Sequence, residues 1–144
     1  MNYELDYANV MSSDLKVKED SIILVKSYAF ALTVIKLYKY LINEKKEFVL
    51  SRQILRSGTS IGANVNEAIS GQSKRDFVHK LSIGLKEARE TLYWLNLIKD
   101  SDYLPEDSFN QMNGDCSEII KILTSIILTT KARYFPKEGP THNS

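Results

Sequence analysis

Cysteine is almost absent from this chain. A single one, Cys116, stands in 144 residues, which excludes an intramolecular disulfide framework and fits a reducing compartment. Histidine is nearly as scarce, with only His79 and His142. Neither follows a Glu at the Glu-x-x-His spacing that di-iron bundles place on paired helices. No metal and no cofactor is therefore expected. Three prolines and six glycines leave room for long uninterrupted helices. No unbroken apolar run approaches the roughly 20 residues that span a bilayer, so no membrane partner is expected. The first twenty residues lack the basic start and apolar core of a secretory signal. The expected location is the cytoplasm.

What is present is ordinary for a globular domain: 43% apolar and 26% charged residues, in a length that fits one domain with a real core. The net charge of +1 does not announce a nucleic-acid binder, but its distribution is uneven. Residues 21–99 hold thirteen bases against six acids, whereas residues 100–118 hold six acids and no base. Such asymmetry steers an acidic partner toward one surface. Solvated helix faces that happen to cluster would look the same.

Four helical segments emerge from the periodicity. In the first, Leu24, Tyr28, Ala31, Ile35, Tyr38 and Ile42 recur at spacings of four and three, and a second stripe beside them holds Ile23, Phe30, Val34, Leu37 and Leu41. Together they are wider than one core-facing seam needs, which predicts burial from two sides and a neighbouring subunit as the second cover. Asp20–Ser21 supply capping oxygens at its start. The second segment, from about Glu47 to Ile69, carries Leu50, Ile54, Ser57, Ile61, Val65 and Ala68, with Gly71 standing where a C-terminal cap belongs. The third opens with Ser73 three residues before Asp76 and carries Val78, Leu81, Leu85, Ala88, Leu92 and Leu95. The fourth starts with Pro105 in its first turn and carries Phe109, Met112, Cys116, Ile120, Leu123 and Ile127, widened by Ile119 and Ile126. Residues 1–18 and 134–144 read as tails around a domain at 19–133. With no strand-period run, the expected fold is all-α, an antiparallel up-down four-helix bundle.

The stretch RSGTSIGANVNEAISG at 56–71 raises the question of a phosphate loop. Walker-type loops need glycines five apart, then Lys and Ser/Thr, after a strand. Here Gly58 and Gly62 are four apart, no Lys follows, and no strand precedes. Each glycine inside a helix costs roughly 1 kcal/mol against alanine, so something should offset it. Close approach of another helix would, as would room for a bulky residue such as Trp94. Cys116 on an apolar stripe reads as a buried, inert thiol. Glu67, beside Asn64 and Asn66, reads as an interhelical hydrogen bond or ion pair with Arg89 as a plausible partner. An acid/base role for Glu67 or Glu90 is the weaker alternative, so no catalytic residue is expected.

A basic surface is the more serious candidate. Arg75, His79, Ser82, Lys86 and Arg89 fall on one polar stripe of the third segment. Lys74 and Lys80 lie nearby, and Arg52 and Arg56 are one turn apart on the second segment. Such a row would bind phosphates with salt-sensitive affinity. Glu87 and Glu90 interrupt it, and an ordinary solvated face would carry the same residues.

Residues 54–104 resemble the four-helix-bundle family encoded by intervening sequences of bacterial 23S ribosomal RNA genes. The resemblance rests on Arg56, Ser57, Ser60-Ile61 and Asn64-Val65-Asn66-Glu67, then Ser73, Asp76-Phe77, Leu81-Ser82-Ile83, Glu87-Ala88-Arg89-Glu90-Thr91 and Tyr103-Leu104. It implies an up-down bundle assembled as a homopentameric barrel, without enzymatic activity and with no established molecular role. A relative, the accessory variability determinant of diversity-generating retroelements, partners a reverse transcriptase and binds nucleic acid through a basic surface. The expectation is a homo-oligomeric scaffold whose partners are itself and RNA or a nucleic-acid-processing protein. The alternative is a purely structural or protein-binding module. On this reading Gly58, Ser60, Ile61, Gly62, Asn64, Glu67 and Glu90 serve packing and the family motif.

Overall fold

The computed structural model describes residues 15–137, with side chains from residue 19 onward. The remainder of both expected tails lies outside the described residues. Four helices follow one another: α1 (Leu15–Asn43), α2 (Leu50–Ile69), α3 (Lys74–Asp100) and α4 (Glu106–Tyr134). No strand occurs among the described residues. Each helix packs on the next, and α4 closes onto α1. Neighbours run antiparallel. Gly58 and Gly62 of α2 meet Val34 and Ser27 of α1, in reverse order. Arg56 and Glu67 of α2 likewise meet Glu87 and Lys80 of α3.

Helix boundaries differ from the sequence expectation in instructive ways. Helix α1 begins at Leu15, so Asp20 and Ser21 lie inside it and do not cap it. Helix α2 is capped from outside itself. The buried Glu47 carboxylate accepts the N–H groups of Val49, Leu50 and Ser51, each at 2.8 Å, placing an anion at the positive end of the helix dipole. Ser73 caps α3 as expected, accepting the Asp76 N–H at 3.0 Å. Pro105 sits one position before α4 begins, as its N-cap. Gly71 is not left-handed. Ser70 and Gly71 instead close α2 through N–H bonds to the Asn66 and Ala68 carbonyls, and a Cβ on Gly71 would lie 2.7 Å from an Asp76 oxygen. The left-handed positions are Lys46 and Asp102, in the turns after α1 and α3.

The core runs the length of the bundle. It takes Ile54, Ile61, Val65 and Ala68 from α2, Leu81, Ala88, Leu95 and Ile98 from α3, and Cys116, Ile119, Leu123 and Ile126 from α4. Helix α1 contributes Ile23, Phe30, Val34, Leu37 and Leu41. Its companion stripe stays at the periphery, with Leu24, Ala31, Ile35, Tyr38 and Ile42 half-buried. Beyond these, Tyr28, Val25, Leu32 and Ile22 remain 64%, 49%, 46% and 40% exposed. By length and composition alone, Glu19–Asn43 would suffice to cross a membrane, against the expectation from unbroken apolar runs. Scattered lysines break those runs without making the helix polar. Its inner stripe is spent on the bundle core.

Candidate nucleic-acid interface

The stretch 56–69 lies wholly in helix α2, so its backbone N–H groups are committed to the helix and form no phosphate cradle. Its small residues serve close packing. A Cβ on Gly58 would fall 2.7 and 2.8 Å from the two methyls of Val34, so Val34 of α1, not Trp94, occupies that space. At Gly62 the nearest atom is the Ser27 carbonyl oxygen, 3.4 Å away. Gly84 of α3 faces Asn64 and Ile61 of α2 in the same manner. Polar groups here are satisfied locally. Asn64 donates to the Ser60 carbonyl at 2.9 Å and Asn66 to that of Gly62 at 2.8 Å. Buried Thr91 donates to the Glu87 carbonyl and pairs with the Ser57 hydroxyl at 2.9 Å.

Two of the seven candidate bases are engaged by acids. Arg56 bridges to Glu87 at 3.2 Å and to Glu90, and its guanidinium titrates higher than usual, chiefly through the Glu90 hydrogen bond. Lys80 pairs with Glu67 at 2.9 Å, which raises its own titration. Glu67 is therefore partnered by Lys80 rather than Arg89, because the antiparallel register brings the end of α2 beside the second turn of α3. Glu67 stays 57% exposed, without the shielding that tunes a general acid. The Glu87 carboxyl is pushed above its ordinary value, first by desolvation and then by hydrogen bonding to Glu90, with Arg56 pulling the other way.

The remaining bases are presented to solvent. Arg75, His79, Lys86 and Arg89 are exposed along the outer face of α3, with Arg52 exposed on α2. Ser82 is half-buried and donates to the Val78 carbonyl at 2.7 Å. Tyr93, 58% exposed, continues the α3 stripe and escaped the sequence reading. Lys74 and Arg75 lie over rings from the end of α4: Lys74 Nζ is 5.0 Å from the Tyr134 ring centre, and the Arg75 guanidinium 5.7 Å from that of Phe135. Those rings were missed because the tail was expected to start at 134, and Lys131 and Arg133 because only bases of the second and third segments were weighed as a surface. Extending the helical period through Tyr134 would have found the rings. Cys116 is buried, donates to the Ala88 carbonyl at 3.3 Å, and has its thiol pushed up to about 12, chiefly by desolvation. Among the described residues no cluster of three or more His, Cys, Asp or Glu is arranged to hold a metal.

Several of the residues that carried the resemblance meet at one seam. Arg56 with Glu87 and Glu90, Ser57 with Thr91, and Asn64 against Gly84 all join α2 to α3. A family model described as 23S rRNA-intervening sequence protein matches residues 19–125. The chain belongs to that family. A solved structure from Bacteroides thetaiotaomicron, a protein of unknown function from the S23 ribosomal protein family, is 52% identical. The match covers 76% of this chain and 98% of that one, with a TM-score of 0.76. No curated protein matches. In this chain Arg56, Ser57 and Asn64 of the motif therefore fasten α2 to α3.

Proposed function

We propose that this member of the family is a non-enzymatic, cytoplasmic, homo-oligomeric scaffold that assembles through the outer face of α1. The observation that carries the reading is the row Val25, Tyr28, Leu32 and Ile35, spaced three, four and three residues apart on the side of α1 turned from the core. An apolar stripe of that spacing is what a partner helix packs against, and large exposed apolar faces mark interaction sites. The sequence resemblance implies five copies around a barrel. The membrane-like composition of α1 has the same explanation, since a helix covered on two sides is apolar on two sides.

Light scattering on the whole chain tests this. Five copies of 16.4 kDa give about 82 kDa. Leu32→Asp with Tyr28→Asp should yield a folded monomer, because neither side chain supports the core. A wild-type monomer at micromolar concentration would refute the reading.

A second element is favoured by one specific observation: Arg52, Lys86 and Arg89 are exposed and without an ion-pair partner among the described residues. RNA is the ligand this row suits, and the retroelement relative makes a nucleic-acid-processing protein the other partner class. Repetition around an oligomer would multiply a modest patch. A salt-dependent gel shift on structured RNA, lost on replacing the three bases by glutamine, is expected. No shift at low salt leaves the structural, protein-binding module as the function.

A further inference from the structure

The end of the bundle where α3 starts and α4 finishes gathers positive charge. Lys74, Arg75, Lys131, Arg133 and Lys137 are exposed there, and none is ion-paired among the described residues. The adjoining acids are Asp76, in the first turn of α3, and Asp20, which lines a small pocket together with Lys74. Two rings stand among the cations. Arg133 lies 5.6 Å from the Tyr134 ring centre, alongside Lys74 at 5.0 Å, and Arg75 covers the Phe135 ring. Both rings keep about two-fifths of their surface in solvent, 40% for Tyr134 and 38% for Phe135.

Two features need more than a helix-to-helix staple. The dipole of α4 accounts for cations in its last turn, but Lys74 and Arg75 occupy the positive end of the α3 dipole, where cations are disfavoured. Asp76 and the Ser73 cap answer part of that field, and an anion seated beside Lys74 and Arg75 relieves the remaining repulsion. Solvent-facing rings between unpaired cations are the pattern by which proteins hold single strands, phosphates on the charges and bases on the rings.

We propose that this end surface binds single-stranded nucleic acid, with Lys74, Arg75 and Arg133 on phosphates and Tyr134 and Phe135 stacking bases. It deepens the nucleic-acid element of the proposed function and rests on it. From Arg75 the same face of α3 continues through Lys86 to Tyr93, about 27 Å at 1.5 Å per residue, which gives a strand a track.

Fluorescence anisotropy with a labelled mixed-sequence 12-mer, as RNA and as DNA, tests the assignment on the whole chain. Both strands should bind, and the matching duplex should bind more weakly because its bases are stacked internally. Lys74→Gln with Arg75→Gln should reduce the slope of log K against log salt by about 1.4, two phosphate contacts at about 0.7 each. Tyr134→Ala with Phe135→Ala should weaken binding about thirtyfold or more, about fivefold or more for each stacked base lost, with the slope unchanged. Tyr134→Phe, which preserves the ring should the alanine variant fold poorly, should bind as wild type. If duplex and single strand bind equally and the ring variants bind as wild type, the surface attracts polyanions generally and the proposal is overturned. Binding lost only through Lys86→Gln with Arg89→Gln overturns the end surface while the broader reading stands. No binding by wild type at low salt overturns both.

Discussion

Replacing Gly58 by alanine probes the closest approach of α1 to α2. The new methyl would stand 2.7 and 2.8 Å from the two methyls of Val34 and 3.2 Å from its Cβ. Carbon atoms rest comfortably at about 3.5–4.0 Å, so roughly 1 Å must be found. Val34 cannot supply it by rotation. It is fully buried in mid-helix, where a β-branched side chain has one strongly preferred rotamer. The helices must part instead, at about 1–3 kcal/mol for overpacking, against about 1 kcal/mol regained from helix propensity. The internal reference is Gly114→Ala on α4, where a Cβ meets nothing within 4 Å and only the propensity gain applies. Urea unfolding followed by circular dichroism, at fixed chain concentration because oligomers couple stability to it, should place Gly58→Ala below Gly114→Ala by the steric term, about 1–3 kcal/mol. In a Val34→Ala background the Gly58 substitution should lose that penalty, giving a coupling of the same size. Equal stabilisation by both glycine replacements, or zero coupling to Val34, refutes the packing argument.

Glu47→Ala removes the acceptor of three N–H groups at the start of α2 and should cost about 1–2 kcal/mol, read from the urea midpoint; an unchanged midpoint shows that water replaces the cap. Glu87 contributes a pH dependence whose sign follows from its raised titration. Its contribution to stability is present below the unfolded value near 4.5 and is lost as pH rises through the folded value. Glu87→Gln should therefore gain on the wild type between pH 4 and pH 7, and a constant difference between the two across that range contradicts the desolvation argument. Cys116, buried with its thiol at about 12, should resist iodoacetamide at neutral pH and react only as the chain unfolds; equally fast labelling in native buffer and in concentrated guanidinium chloride overturns its placement.

Much of the fold was legible because three of the four helices are amphipathic in a simple way. On α2, Ile54, Ser57, Ile61, Val65 and Ala68 were expected inside and are buried. One face of that helix is apolar or small and the other polar, so periodicity had one solution. The Ser73 cap was readable for a similar reason, since its partner lies three residues away. Glu47 was not, because it caps from outside the helix it serves, and its role exists only once the preceding turn folds back.

The candidate site divides along the same line. Sequence by itself determined four helical segments, the family through Arg56, Asn64, Glu67 and Glu90, and the solvent-facing row on α3, because each depends on spacing within one helix. Tertiary structure decided which stripe of α1 turns inward. Both stripes are apolar, and the choice follows from Val34 filling the space left by Gly58. It also decided which charges are spent. Antiparallel register brought Arg56 to Glu87 and Glu90 and gave Glu67 to Lys80, leaving Arg89 in solvent. It set Lys74 and Arg75 beside Tyr134 and Phe135, about sixty residues away in the chain. Pairing across helices depends on register and rotation between them, and no periodicity within a single helix encodes either.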